Sequence, residues 1–283
     1  MPFPPGALAL IIVAAFVHVV PHVAIKGARE RTPFVWWMLL INGIAYAPCL
    51  AFARMPSPFA MLLLAGSGLA EVAYLLAISR AYATGALSVA YPLARGTAPL
   101  FLLVFALAFL HERVTAAGVA GLLLIAAGIY LLNLTTRAFP SLREPATRWA
   151  ILAGLCTAAY TAIDKVGVHI LHPFAWLELV MLIALLGYTP LALRHGWAGV
   201  RAELAHAPVR VVIAGLTMPL AYALVLWAMH LGAPASYTGA VREVSVVVAA
   251  AVGVIAFGER TTWPRMLGTL AVLAGILTIV WHG

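Results

Sequence analysis

The sequence predicts an all-α membrane protein of about ten transmembrane helices, arranged as two inverted five-helix repeats. Three observations carry that prediction. Apolar residues make up 64% of the 283 and charged residues only 9%, with a mean hydropathy of +1.04. A soluble domain carries roughly 25% charged residues, so this surface belongs in lipid. Apolar runs long enough to cross a hydrocarbon core of ~30 Å recur along the whole chain. The third observation is an internal repeat at a fixed offset.

The spans are predicted at 6–25, 34–53, 59–79, 86–108 and 115–133, then at 148–169, 173–193, 208–230, 235–257 and 262–281. Helices are required, because lipid offers no partner to open strand edges. The first run lacks a preceding basic segment, so it reads as a span and not as a cleavable leader. The domain division is a first repeat over 1–137, a linker over 138–147 and a second repeat over 148–283. Trp36, Trp37, Trp149, Trp176 and Trp281 lie near predicted span ends, where interfacial aromatic belts form. Cys49 and Cys156 sit inside apolar runs and read as packing residues, with neither a disulfide framework nor a metal-ligand spacing. The net charge of +8 does not imply a nucleic-acid partner, since the basic residues cluster in the short gaps between spans.

Shifting the sequence by 147 positions superimposes Gly85 on Gly232, Arg95 on Arg242, and Glu112-Arg113 on Glu259-Arg260. Thr115, Gly121 and Gly128 fall on Thr262, Gly268 and Gly275 in the same register. The earlier helices match more weakly, with Lys26 on Lys165. Five helices per unit oblige the second copy to enter the membrane from the opposite side. Loop charge agrees: the first loop holds Lys26, Arg29 and Arg31 where its equivalent holds Lys165, and the second holds Arg54 where its equivalent holds Arg194 and Arg201. Inverted repeats meeting around a midplane site are a recurring transporter architecture.

Ionisable groups inside a span are costly, so they face protein or a wet cavity. Arg95 and Arg242 are expected near the middle of the fourth and ninth spans, facing a shared cavity where they would hold a carboxylate or phosphonate. The bland alternative is a pair of structural ion pairs, Arg95–Glu71 and Arg242–Glu178. Glu71, Glu243, His18, Tyr91, Tyr160, Asp164 and Tyr237 complete the candidate substrate-binding set, and Glu71 and His22 are the candidate proton carriers. His18, His22 and Lys26 recur every four residues on one helix face, but no further ligand completes a metal shell. Glu112-Arg113 and Glu259-Arg260 read as helix-end caps. Pro21, Pro48, Pro92, Pro99, Pro190 and Pro219 interrupt spans. No activated nucleophile or phosphate loop marks an enzyme; Ser67 in "AGSGLAE" has no spaced partner.

The units "YPLARGTAPLFLLVFALAFLHERVTAAGVAGLLLIAAGIYLL" and "GAVREVSVVVAAAVGVIAFGERTTWPRMLGTLAVLAGILTIV" resemble the drug/metabolite transporter superfamily, and its ten-helix EamA-type members most. "AAYTAIDKVGV" and "AVREVSVVV" are similar to a subgroup associated with phosphonate use. Where many members carry Trp in the first helix, this chain has His18. The resemblance covers the whole chain and implies export of a small polar metabolite, such as an amino acid or another zwitterionic or anionic compound. Alternatives are uptake of an organic anion such as a phosphonate, a membrane sensor or scaffold, and an intramembrane enzyme. The expected partners are a small-molecule substrate, membrane lipid and protons, with no cofactor and no nucleic acid; monomer and homodimer both remain open. Outside the two mid-span arginines, every basic residue except Arg54, Arg113 and Lys165 falls on the face opposite the termini. The positive-inside rule then puts both termini outside the cytoplasm, whereas the resemblance implies cytoplasmic termini.

Overall fold

The computed structural model describes residues 3–25, 28–84, 87–132, 141–257 and 262–282. Among these, the first five spans are α1 (Pro5–Ile25), α2 (Arg31–Tyr46) continued by a 3-10 turn (Ala47–Phe52), α3 (Pro58–Thr84), α4 (Leu87–Ala108) and α5 (Ala116–Leu132). The second series is α6 (Pro145–Gly167), α7 (Pro173–Leu193), a short α8 (Gly196–His206), α9 (Pro208–His230), α10 (Ala235–Val241) with α11 (Val244–Phe257), and α12 (Trp263–His282). Every predicted span is present, and the chain is an all-α, multi-pass membrane protein.

Two features depart from the expectation. The charged gap between the seventh and eighth spans folds into α8, whose Glu203 carboxylate turns inward and accepts the backbone N–H of Arg29 at 3.3 Å and of Glu30 at 3.0 Å. It thereby satisfies N–H groups at the start of α2 that have no partner within the helix. The ninth span breaks at Arg242–Glu243 into α10 and α11. Across the break the N–H of Glu243, Ser245 and Val246 bond three residues back, to Ala240, Arg242 and Glu243, the tighter pattern of a 3-10 turn. Seven of the described helices are long and apolar enough to cross a bilayer unaided. Of the other spans, α5 has only 17 residues, α6 carries buried polar side chains, and the ninth is interrupted.

The packing follows a pseudo-two-fold. α3 packs on α6 as α9 packs on α1; α3 packs on α7 as α9 packs on α2; α2–α7 and α5–α12 lie on the axis itself. At the α5–α12 crossing, a Cβ on Gly121 would come within 2.8 Å of the Gly275 carbonyl oxygen, and one on Gly128 within 2.8 Å of the Gly268 carbonyl oxygen. The two helices therefore run antiparallel with backbones touching, each equivalent pair of glycines exchanged between the crossings. Helices that are fifth in each repeat can run antiparallel only if the repeats are inverted.

The tryptophan expectation needs correction at two positions. Trp36 and Trp176 are buried because their indole N–H groups find internal acceptors, Thr189 Oγ1 at 2.9 Å and Asp164 Oδ1 at 2.8 Å. Trp281 is 71% exposed, as an interfacial residue is.

Candidate functional site

The side chains of α3 build one wall of a central cavity. Glu71, Tyr74, Leu75, Ile78 and Tyr82 line it, a stripe at the three- and four-residue spacing of one helix face. α4 contributes Tyr91 and Arg95, α1 His18, α2 Asn42, α6 Thr157 and Tyr160, α9 Pro219 and Tyr222, and the α10–α11 break Arg242. The cavity holds about 110 Å³ of space open to water centres.

The break in the ninth span controls the electrostatics. At the break Arg242 lines the cavity and Glu243 lies beside it. Glu243, fully buried, lies with Oε1 3.4 Å from Arg95 Nη1 and 4.0 Å from Arg242 Nε. One carboxylate thus stands between two guanidiniums. Arg95 also donates to Ser245 Oγ at 3.4 Å and to Tyr91 OH at 3.5 Å. Each guanidinium lies beside a ring face, Arg95 5.8 Å from Tyr91 and Arg242 5.8 Å from Tyr222, within the range of cation–π attraction. Tyr74, Tyr160 and Tyr222 meet edge to face, at 6.1 and 5.7 Å between centroids.

The ion pairing differs from the structural alternative in the sequence reading. Among the described residues neither Arg95–Glu71 nor Arg242–Glu178 forms; Glu243 is the partner of both arginines. Glu71 lines the cavity within electrostatic reach of Arg242 and Asp164. Glu178 is buried in α7, away from the arginines and next to Gly43 and Asn42 of α2.

Of the expected site residues, Arg95, Arg242, Glu71, His18, Tyr91 and Tyr160 are brought to one cavity, with Glu243 directly behind the arginines. Asp164 and Tyr237 are not. Asp164 is buried, and its carboxylate accepts from Ser67 Oγ at 2.5 Å, Trp176 Nε1 at 2.8 Å and Tyr222 OH at 2.7 Å. It ties α3, α7 and α9 to α6 behind the cavity wall. Tyr237 packs against α5, its hydroxyl accepting the Thr115 N–H at 3.0 Å. The side chain of His22, the second expected proton carrier, lies outside the described residues, as do Lys26 and Glu259-Arg260.

Polar contacts knit the face that holds the termini. Glu112 caps α10 there, accepting the N–H of Ala235 at 2.5 Å and of Ser236 at 3.1 Å, and the Ser236 hydroxyl at 2.7 Å. Lys165 Nζ donates to the carbonyls of Met229 and Ala233 at 2.9 and 2.8 Å. The cavity instead extends toward the basic face, between Tyr82 at the end of α3 and Tyr91 at the start of α4.

Tyr74, Tyr82, Tyr222 and Asn42 were missed in the sequence reading. Tyr74 had a signal, since it stands three residues from Glu71 on the same helix face; Tyr222 had only its nearness to Pro219.

Inverted five-helix repeats around a charged midplane cavity, with one helix broken at that site, define a secondary-transporter architecture. The chain belongs to the EamA-like transporter family, whose model matches residues 5–134 and 146–281. It is therefore a membrane transporter of the drug/metabolite type. Among solved structures it is similar in fold to one described only as a crystal structure of a protein, with a TM-score of 0.78 and 18% identity over 98% of this chain and 99% of that one. None of the curated proteins compared matches the chain.

Proposed function

We propose that this transporter exports a small zwitterionic or anionic metabolite of amino-acid type by alternating access around the arginine cavity. The observation that carries the reading is the pair of guanidiniums, from equivalent positions of the two repeats, served by a single carboxylate. One positive charge is left for the oxyanion of a substrate, held by the Arg95 and Arg242 forks. Glu71, across the cavity on α3, receives an ammonium group. The tyrosine faces hold the carbon skeleton and add cation–π attraction for that ammonium. Glu71, on the cavity wall, and His22 are the proposed proton carriers, linking transport to a proton gradient.

A second substrate class follows from the same charge balance. If Glu71 carries its proton, the cavity is net positive and suits an organic anion without an ammonium group, such as a phosphonate.

Thermal stabilisation of the purified protein by panels of α-amino acids, alkylphosphonates and alkylamines, followed by flux of any stabilising compound in proteoliposomes, tests both. Amino acids are expected to stabilise the parent protein and to lose that effect in Arg242→Gln. Phosphonates acting alone would favour the second class. Stabilisation by alkylamines alone would overturn both.

A further inference from the structure

A second polar site lies between α2 and α7, apart from the arginines. Glu178 is 1% exposed and Asn42 2%. Both carboxylate oxygens of Glu178 and both amide atoms of Asn42 are buried without a hydrogen-bond partner. The Asn42 amide faces the carboxyl, and Gly43 lies beside it, a Cβ there standing 3.8 Å from Glu178 Oε1. Four orphaned polar atoms in one place inside a membrane bundle call for an explanation. An unpaired carboxylate is among the most expensive groups to bury there.

Packing does not supply that explanation. α2 and α7 are partners across the pseudo-two-fold. In the register that sets Pro33-Phe34 and Trp36 on Pro173-Phe174 and Trp176, Glu178 corresponds to Met38 and Asn42 to Leu182. The symmetry mates of Glu178 and Asn42 are thus Met38 and Leu182, both apolar. The fold accepts hydrocarbon at this crossing on one side of the axis, and the second side departs from it with a carboxyl and an amide.

We propose that Glu178, faced by Asn42, is a proton-binding site distinct from the arginine cavity. A proton from water joins a carboxylate oxygen of Glu178 and cancels the buried charge, with the Asn42 amide left to hydrogen-bond the neutral acid. Asn42 lines the cavity while Glu178 does not, so a proton's route from the cavity to the carboxyl passes Asn42. The titratable groups within electrostatic reach are Tyr46 of α2 and Cys49 of the 3-10 turn. No charged group of α3, α6, α8 or α9 among the described residues pairs with Glu178. A role for this proton in driving transport rests on the proposed function above; its binding does not.

Infrared difference spectroscopy of the full-length protein in lipid, stepped in pH without any substrate, isolates the binding. We expect a carbonyl band from a protonated carboxyl that appears and disappears with pH, is lost in Glu178→Gln, and persists in Glu71→Gln. Should Glu178→Gln not fold, Asn42→Leu is expected to shift the band by removing the facing amide. A band unmoved by either variant, or one that answers to sodium at fixed pH instead of to protons, overturns the proposal. Absence of flux with every solute, beside a titrating Glu178 band, would count against the transport reading alone.

Discussion

Glu243 Oε1 lies 3.4 Å from Arg95 Nη1, joining residues 148 positions apart in opposite repeats. The carboxylate is fully buried, and Arg242 is within 4.0 Å of the same oxygen. The repeat equivalent of Glu243 is Gly96, so one copy supplies the carboxylate for both arginines. That asymmetry orders the consequences of mutation. Glu243→Gln leaves two largely buried guanidiniums uncompensated, and breaking a buried pair by removing one partner costs about 3–5 kcal/mol. Arg95→Gln leaves Glu243 with Arg242 still beside it. Thermal unfolding of the purified variants is expected to show the lower Tm for Glu243→Gln; the reverse order would refute the shared-carboxylate reading.

The break in the ninth span was not legible in the sequence, and the reason is physical. No Gly or Pro stands among Val241, Arg242, Glu243 and Val244, so the local chemistry reads as a continuous helix. At the break Glu243 meets Arg95, a partner 148 positions away that local sequence does not reveal. The misplacement of Tyr237 has a simpler cause. Tyr91 precedes Arg95 by four residues and shares its face, whereas Tyr237 precedes Arg242 by five, roughly 140° further round than the arginine. The spans and repeats were legible because membrane length and the glycine register are imposed at particular residues: Gly121, Gly128, Gly268 and Gly275 recur because backbones touch there.

Asp164 offers a test of the wall behind the cavity. Its two oxygens take three donors from three other helices. Asn at this position keeps one acceptor and turns an N–H₂ group toward donors. The expected loss is on the order of 1–3 kcal/mol, the cost of leaving buried polar groups unsatisfied. Ser67→Ala removes a single bond and should cost about 1 kcal/mol. Equal Tm values for Asp164→Asn and the parent would remove the case for this node.

The glycine crossing makes a prediction about symmetry. A side chain at Gly128 collides with the Gly268 carbonyl and Val272, and one at Gly275 with the Gly121 carbonyl and Ile125. Because these positions are equivalent in inverted copies, Gly128→Ala and Gly275→Ala should destabilise by similar amounts, about 1–3 kcal/mol for overpacking. Calorimetric scans showing a large drop for one and none for the other would contradict a symmetric crossing.

Orientation is the remaining prediction, and the structure sharpens it. The cavity extends toward the face that carries most of the basic residues, while Glu112 and Lys165 make their hydrogen bonds at the face with the termini. Lys165 is one of the three basic residues that the sequence puts on that second face outside the mid-span pair, and its ammonium is spent on the Met229 and Ala233 carbonyls. Removing it from the topology count leaves Arg54 and Arg113 there. On the basic face, Arg31 lies over Tyr82 and Arg80 over Trp149, each at 5.9 Å, so ring contacts hold these two. Setting them aside still leaves that face the more basic by a wide margin. The positive-inside rule therefore predicts that the face toward which the cavity extends is cytoplasmic and that the termini lie outside. Reporter fusions at Gly283 read this directly. A reporter active only outside the cytoplasm is expected; one active only inside would turn the molecule over.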